Sequence, residues 1–156
     1  MLKFIQAESK EELLQVKKLF TEYATSLDFN LCFQDFDQEL AELPGEYALP
    51  DGRLLLALEG TKIAGCVALR KISKETCEMK RLYVRTGFRG KGIGKALTVY
   101  IIEEARKIGY SRMQLDTVPS MKEAISLYHS LGFKQIEPYR YNPIEGAIYM
   151  ELILNQ

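Results

Sequence analysis

The sequence predicts a single α/β (α+β) domain of about seven strands and about four helices. Three observations carry that expectation. Apolar residues switch between helical and strand spacing along the chain, cap and turn residues stand at nearly every switch, and 156 residues suit one core but are short for two.

Lys3 to Ala7 reads as the first strand. Ser9 and Glu12 then form the S-x-x-E capping box of a helix that carries Leu13, Val16, Leu19, Phe20 and Tyr23 on one face. Phe33, Phe36, Leu40 and Leu43 mark a second amphipathic helix, stopped by Pro44-Gly45. Leu54 to Glu59, the turn Gly60-Thr61 and Lys62 to Ile72 read as a hairpin, with Thr76 to Val84 as the following strand. The polar, glycine-rich stretch from Arg85 to Gly92 leads into a helix with Ile93, Leu97, Ile101, Ala105 and Ile108 at apolar positions, closed by Gly109. Met113 to Val118 is a strand, and Pro119 suits the first turn of a helix marked by Ala124, Leu127, Tyr128 and Leu131 and ended by Gly132. Phe133 to Pro138 and Ala147 to Leu154 complete the set of strands.

Composition removes several classes of function. Lys plus Arg and Asp plus Glu both number 21, so no global field draws the chain to nucleic acid or to an anionic membrane, and any anion site must be local. The N-terminal residues turn polar too early for a signal peptide and no later run is long enough to span a bilayer, so a cytoplasmic protein is expected. Cys32, Cys66 and Cys77 are odd in number and lack paired spacing, which suggests buried small hydrophobes rather than disulfides or a zinc site; no metal is expected. His129 is the only histidine, which makes a Ser-His-Asp or Cys-His hydrolase improbable, and its place on the last helix suits a surface or capping role.

Arg89-Gly90-Lys91-Gly92-Ile93-Gly94-Lys95 sets three glycines among three cations where a strand gives way to a helix. The first amides of a helix lack intrahelical acceptors and the dipole is positive there. Absent side chains also let a phosphate reach the backbone, so a diphosphate suits this turn. The dinucleotide pattern fails because Leu97 stands where its last glycine belongs, and the nucleoside-triphosphate pattern fails because Ala96 replaces Ser or Thr after Gly94-Lys95. Taken alone, the glycines are also compatible with a flexible basic loop.

The R-x-x-G-x-G pattern of Arg89, Gly92 and Gly94 follows the strand Glu78-Met79-Lys80-Arg81-Leu82-Tyr83-Val84, and Ala124 through Phe133 supplies a second motif in the same order. This resembles the GNAT superfamily of acyl-CoA-dependent N-acyltransferases. The resemblance implies a mixed, mostly antiparallel central sheet with a V-shaped splay between the strand at 76–84 and the strand at 112–118. It implies that the amides of Gly90, Gly92, Gly94 and Lys95, with Ile93 between them and Arg89 and Lys91 lining the loop, wrap the pyrophosphate of acetyl-CoA. The pantetheine would lie along Leu82, Tyr83 and Val84. Met121 stands where many members carry Asn, so a side-chain hydrogen bond to CoA is expected to be missing there.

An alkylammonium with a pKa near ~10.4 is almost wholly protonated at neutral pH, so a base is useful. By the resemblance Glu78 is that base, with Asp116 in reserve; without it, Glu78 reads as a strand carboxylate pairing with Lys80 or Arg81. The resemblance also assigns the Leu82 N–H to the oxyanion and the Tyr128 hydroxyl to the departing thiolate, although helical spacing alone makes Tyr128 a core aromatic. Phe29, Phe33, Phe36 and Tyr47, with Asp116 and Tyr141 of the Tyr139-Arg140-Tyr141-Asn142-Pro143 stretch, are candidates for the acceptor pocket; packing of the second helix explains the phenylalanines equally well. The expected partner is an amine-bearing small molecule or protein, a homodimer being compatible with the aromatic loop. A non-catalytic acyl-CoA-binding module and a nucleic-acid-phosphate contact are the competing readings.

Overall fold

The computed structural model describes residues 1–27 and 35–155. Its strands are β1 (Leu2–Gln6), β2 (Arg53–Glu59), β3 (Lys62–Lys71), β4 (Thr76–Val84), β5 (Arg112–Thr117), β6 (Lys134–Ile136) and β7 (Ile148–Ile153). Its α-helices are α1 (Lys10–Ser26), α2 (Phe36–Glu42), α3 (Ile93–Ile108) and α4 (Lys122–Ser130). One seven-stranded sheet runs in the order β1-β2-β3-β4-β5-β7-β6, antiparallel except between β4 and β5.

Strand alternation divides the core into two layers. Leu55, Ala57, Val67, Leu69, Cys77 and Met79 point to the face covered by Leu97, Ile101 and Ala105 of α3 and by Tyr128 of α4. Leu54, Leu56, Cys66 and Ala68 point to the opposite face, packed by Val16, Leu19 and Phe20 of α1 together with Phe36 and Tyr47. The predicted capping box is present: Ser9 accepts from the Glu12 amide at 3.1 Å and the Glu12 carboxylate accepts from the Ser9 amide at 3.1 Å. Cys66 and Cys77 are buried, as expected, and burial pushes both thiols up.

Two irregularities shape the centre of the sheet. In β4, Arg81 and Leu82 together oppose Val67, because Cys66 pairs with Tyr83 and Ala68 with Lys80. Arg81 occupies this β-bulge with φ 59°, a left-handed conformation that a long side chain adopts only under constraint. The constraint is a bidentate pair in which Nε and Nη2 donate to Glu39 of α2 at 3.0 and 2.7 Å, with the guanidinium 5.3 Å from the centre of the Phe36 ring. Beyond the bulge the strand's alternation resumes in a new phase, so Lys80 and Arg81 lie on the α2 side while Leu82 and Val84 pack toward α3.

The second irregularity is the parallel ladder, which joins only Thr76, Cys77 and Glu78 to Arg112, Met113 and Gln114. From Met79 onward β4 has no partner on its β5 side, so the two strands part at Glu78 and leave the V-shaped gap.

Most predicted boundaries agree with the structure to within a residue or two. Pro119 is a correction: it precedes the last helix rather than entering it. A turn in which the Met121 amide donates to the Val118 carbonyl at 3.0 Å places Met121 at the N-cap and starts α4 at Lys122. The second helix begins at Phe36; Phe29, Cys32 and Phe33 lie outside the described residues.

Candidate functional site

The glycine loop ends at a helix terminus that the protein leaves uncapped. No side chain caps α3, and among the described residues the amides of Gly90, Lys91, Gly92, Ile93, Gly94 and Lys95 meet no protein acceptor; the first returning bond is Ala96 N–H to the Gly92 carbonyl at 3.0 Å. Gly90 and Gly92 adopt φ 80° and 79°, and a Cβ at either would meet nothing within 4 Å. Successive left-handed glycines turn consecutive N–H groups toward one concavity, and the helix dipole adds to its positive potential. The diphosphate of a CoA ligand fits such a cradle in charge and donor geometry. Of the loop cations, Arg89 lines the groove that adjoins this cradle. The Arg89 Nε donates to the Val84 carbonyl at 2.9 Å and its guanidinium lies 5.8 Å from the Tyr83 ring centre, while the Lys91 ammonium sits 5.6 Å over Phe88. Lys95 is exposed.

From the cradle a groove of about 620 Å³ runs along Val84, Tyr83 and Leu82, between β4 and the N-terminal part of α4. Met121, Ala124 and Leu127 of the opposite wall belong to α4 and its N-cap, and Tyr23 of α1 closes the inner end. Leu82 stands in the bulge on the unpaired edge of β4, where an extended ligand arm finds free backbone groups. Tyr128 is buried behind this wall, 6% exposed, its ring 5.6 Å from that of Phe133. Burial pushes its phenol well above the ordinary value, so the hydroxyl holds its proton throughout the physiological range. Among the described residues that hydroxyl has no hydrogen-bond partner.

Glu78, at the point where the strands part, is fully buried. Its Oε1 accepts from the Arg70 Nε at 2.7 Å; its Oε2 accepts from the Tyr139 hydroxyl at 2.7 Å and from an amino group of Arg140. The same Arg140 nitrogen donates to Asp116 Oδ1 at 3.0 Å, and the Asn142 amide donates to Oδ2 at 3.1 Å. One guanidinium thus bridges both arms of the V. Glu78 is therefore neither outward-facing nor paired with Lys80 or Arg81, and both candidate base carboxylates are committed to Arg140. Burial drives the Tyr139 phenol up, and the adjacent Glu78 charge drives it further, so Tyr139 remains a donor.

A second cleft, of about 600 Å³, opens on the α2 side of this network. Arg70, Lys80 and Arg140 form its basic lining, Asp35, Glu42 and Glu46 its exposed acidic mouth, and Tyr141, 77% exposed, one flank. Of the aromatic residues considered for an acceptor pocket, Tyr47 reaches this cleft, while Phe36 is a core residue beneath Arg81.

The structure brings the glycine loop, Leu82 and Met121 together along one groove, whereas Tyr128 and Asp116 are not among the residues that line it. Sequence reasoning passes over Tyr23 as a site residue, which reads as one more apolar helix position, and over Arg70. It names Tyr139 and Arg140 only within a loop beside the acceptor, their contacts with Glu78 depending on which strands and loops meet. Among the described residues no cluster of His, Cys, Asp or Glu is placed to hold a metal.

The sequence model of the Acetyltransferase (GNAT) family matches residues 14–133. An uncharacterised N-acetyltransferase of Schizosaccharomyces pombe is 42% identical over 149 residues, covering 94% of this chain and 91% of the relative. Another, of Dictyostelium discoideum, is 34% identical over 197 residues, covering 87% of this chain and 91% of the relative. A Salmonella typhimurium protein solved with its cofactor acetyl-CoA superposes with a TM-score of 0.78 at 21% identity, over 99% of this chain and 95% of that one.

Proposed function

Since the chain belongs to the GNAT family of acetyltransferases, we propose that it transfers an acetyl group from acetyl-CoA to a primary amine by direct attack within a ternary complex. The observation that carries this reading is the row of amides from Gly90 to Lys95 that meet no acceptor among the described residues, continuous with a groove along the edge of β4 that has parted from β5. In this reading those amides, with Arg89 and Lys91 beside them, bind the diphosphate. Tyr83 and Val84 support the pantetheine, with Met121 offering thioether contact in place of an amide hydrogen bond.

At the reacting end the Leu82 N–H, on the unpaired strand edge, donates to the carbonyl oxygen as negative charge develops there. The Tyr128 hydroxyl, unable to ionise in its buried setting, donates to the departing sulfur. Glu78 receives the amine proton, directly or through water, once Arg140 gives up Oε2. Asp116 orients Arg140, and Arg140 and Tyr141 border the space for the acceptor. A cytoplasmic location belongs to the same reading; among the described residues no helix is long and apolar enough to cross a membrane.

An acyl-CoA-binding module without transfer activity is the alternative, and the observation on its side is that Glu78 and Asp116 both already carry an arginine. Calorimetric titration with acetyl-CoA followed by a thiol-release screen over amine classes separates the two. Saturable binding with amine-dependent CoA release supports transfer, while binding without release supports the module. In Glu78→Gln, a displaced pH profile of turnover identifies a base, and an unchanged profile identifies an electrostatic anchor.

A further inference from the structure

The cleft on the α2 side contains three cations at its floor, and they are not equivalent. Arg70 is neutralised by Glu78 at 2.7 Å and Glu46 at 3.0 Å, and Arg140 by Glu78 and Asp116. Arg81, next along β4, is neutralised by Glu39. Lys80 has no carboxylate within ion-pair distance among the described residues, although it lies between these arginines and lines the cleft. It is largely withdrawn from water, and burial pulls its ammonium down to about 8, with Arg81 and Arg140 adding to the fall against Glu78 and Glu39. A half-buried ammonium without a counterion, in an open cleft, is a costly arrangement that an incoming anion relieves.

Position along the strand fixes what kind of anion. Lys80 precedes Leu82 by two residues on β4, and an extended strand advances about 3.3 Å per residue, so the two lie at most roughly 7 Å apart along it. The Lys80 side chain opens to the α2 side of this point and the free strand edge lies beside it, so a compact acceptor, with its carboxylate close to its amine, suits a bridge from Lys80 to the edge at Leu82. The acidic mouth formed by Asp35, Glu42 and Glu46 repels polyanions but admits a zwitterion.

We propose that Lys80 binds the carboxylate of the acyl acceptor, and that the acceptor is a small free amino acid whose amine is acylated. The proposal deepens the acyl-transfer reading and rests on it. In the reaction the amine nitrogen forms the amide bond, the thioester carbon–sulfur bond breaks, the sulfur leaves as CoA thiol, and one amine proton passes to base. Lys80 takes part in none of these bond changes and sets specificity only.

The test compares free amino acids with their carboxamides as acceptors at saturating acetyl-CoA, in the wild type and in Lys80→Met and Lys80→Arg. A buried charge-assisted contact predicts that the best free acid exceeds its own amide in kcat/KM by about tenfold or more. In Lys80→Met that ratio falls toward one through a higher KM for the acid, and in Lys80→Arg much of it returns. Calorimetric binding of acetyl-CoA by each variant verifies the fold. Amides used as well as acids by the wild type, or a preference that survives Lys80→Met, overturns the proposal alone. Failure to turn over any amine, with acetyl-CoA still bound, overturns the acyl-transfer reading and this proposal with it.

Discussion

Replacing Gly94 with alanine separates the requirements of the fold from those of the ligand. Gly94 is the second residue of α3 and has an ordinary helical backbone, so a side chain is not strained there. The added methyl would touch only the Val84 Cγ2, at 3.7 Å, an ordinary van der Waals contact. Glycine in a helix costs roughly 0.5–1 kcal/mol relative to alanine. At about 2–4 °C per kcal/mol for a chain of this size, the variant should melt about 1–4 °C higher. The same methyl adds bulk to the groove wall that Gly94 lines, beside the amides of Ile93, Gly94 and Lys95 that meet no acceptor among the described residues. Holding the anion off even one of them forfeits a charge-assisted hydrogen bond of about 1.5–3 kcal/mol. That raises Kd for acetyl-CoA by roughly 10- to 150-fold. Thermal unfolding without ligand and calorimetric titration with acetyl-CoA read the two effects separately. A variant that melts higher yet binds acetyl-CoA as the wild type does would refute the assignment of these amides to the diphosphate.

Three other outcomes follow from the geometry. Tyr128→Phe should lower turnover by about 100-fold while leaving acetyl-CoA affinity within a factor of about two, since only the sulfur loses a donor; steady-state kinetics beside calorimetry checks this. For Glu39, burial alone would raise the carboxyl pKa, but the hydrogen bonds and charge of Arg81 outweigh it and the folded value ends low. Its stabilisation is therefore complete above the unfolded pKa near ~4.3 and fades as pH falls through the folded value. Glu39→Gln should cost about 3 kcal/mol at neutral pH and flatten the acid limb of denaturant midpoints plotted against pH, because the buried Arg81 loses its counterion. Finally, an N-acetylated amino acid, which has no titratable amine, should take up protons when it binds near pH 8.5, because it re-protonates a Lys80 whose pKa is about 8. Calorimetry in buffers of different ionisation enthalpy measures that uptake, and identical heats would contradict it.

The nearly continuous apolar runs in Leu54–Glu59 and Lys62–Ile72, broken by the turn Gly60-Thr61, were enough to place β2 and β3, since each buries side chains on both faces of a central sheet. The open helix end was equally legible, because Gly92 stands where α1 has Ser9, and a terminus without a capping side chain is visible in the residues themselves. The bulge was not. Nothing in Lys80-Arg81-Leu82 marks a left-handed arginine, which depends on Glu39 lying across the cleft. The surroundings of Glu78 were hidden for the same reason: Arg70, Tyr139 and Arg140 reach it over 8, 61 and 62 residues of sequence. Local pattern reports which face a residue shows, while charge partners depend on topology.

The short parallel ladder at Thr76–Glu78 has a mechanical consequence. It leaves the sheet as two parts, β1 to β4 and β5-β7-β6, joined along a brief seam and tied by Arg140 just where the strands part. A ligand spanning the amides on one side and the α4 wall on the other adds a second tie. Deuterium uptake at Cys77, Glu78, Met113 and Gln114 should therefore slow on acetyl-CoA binding more than uptake in β2 and β3, since the seam is the part of the sheet most free to breathe.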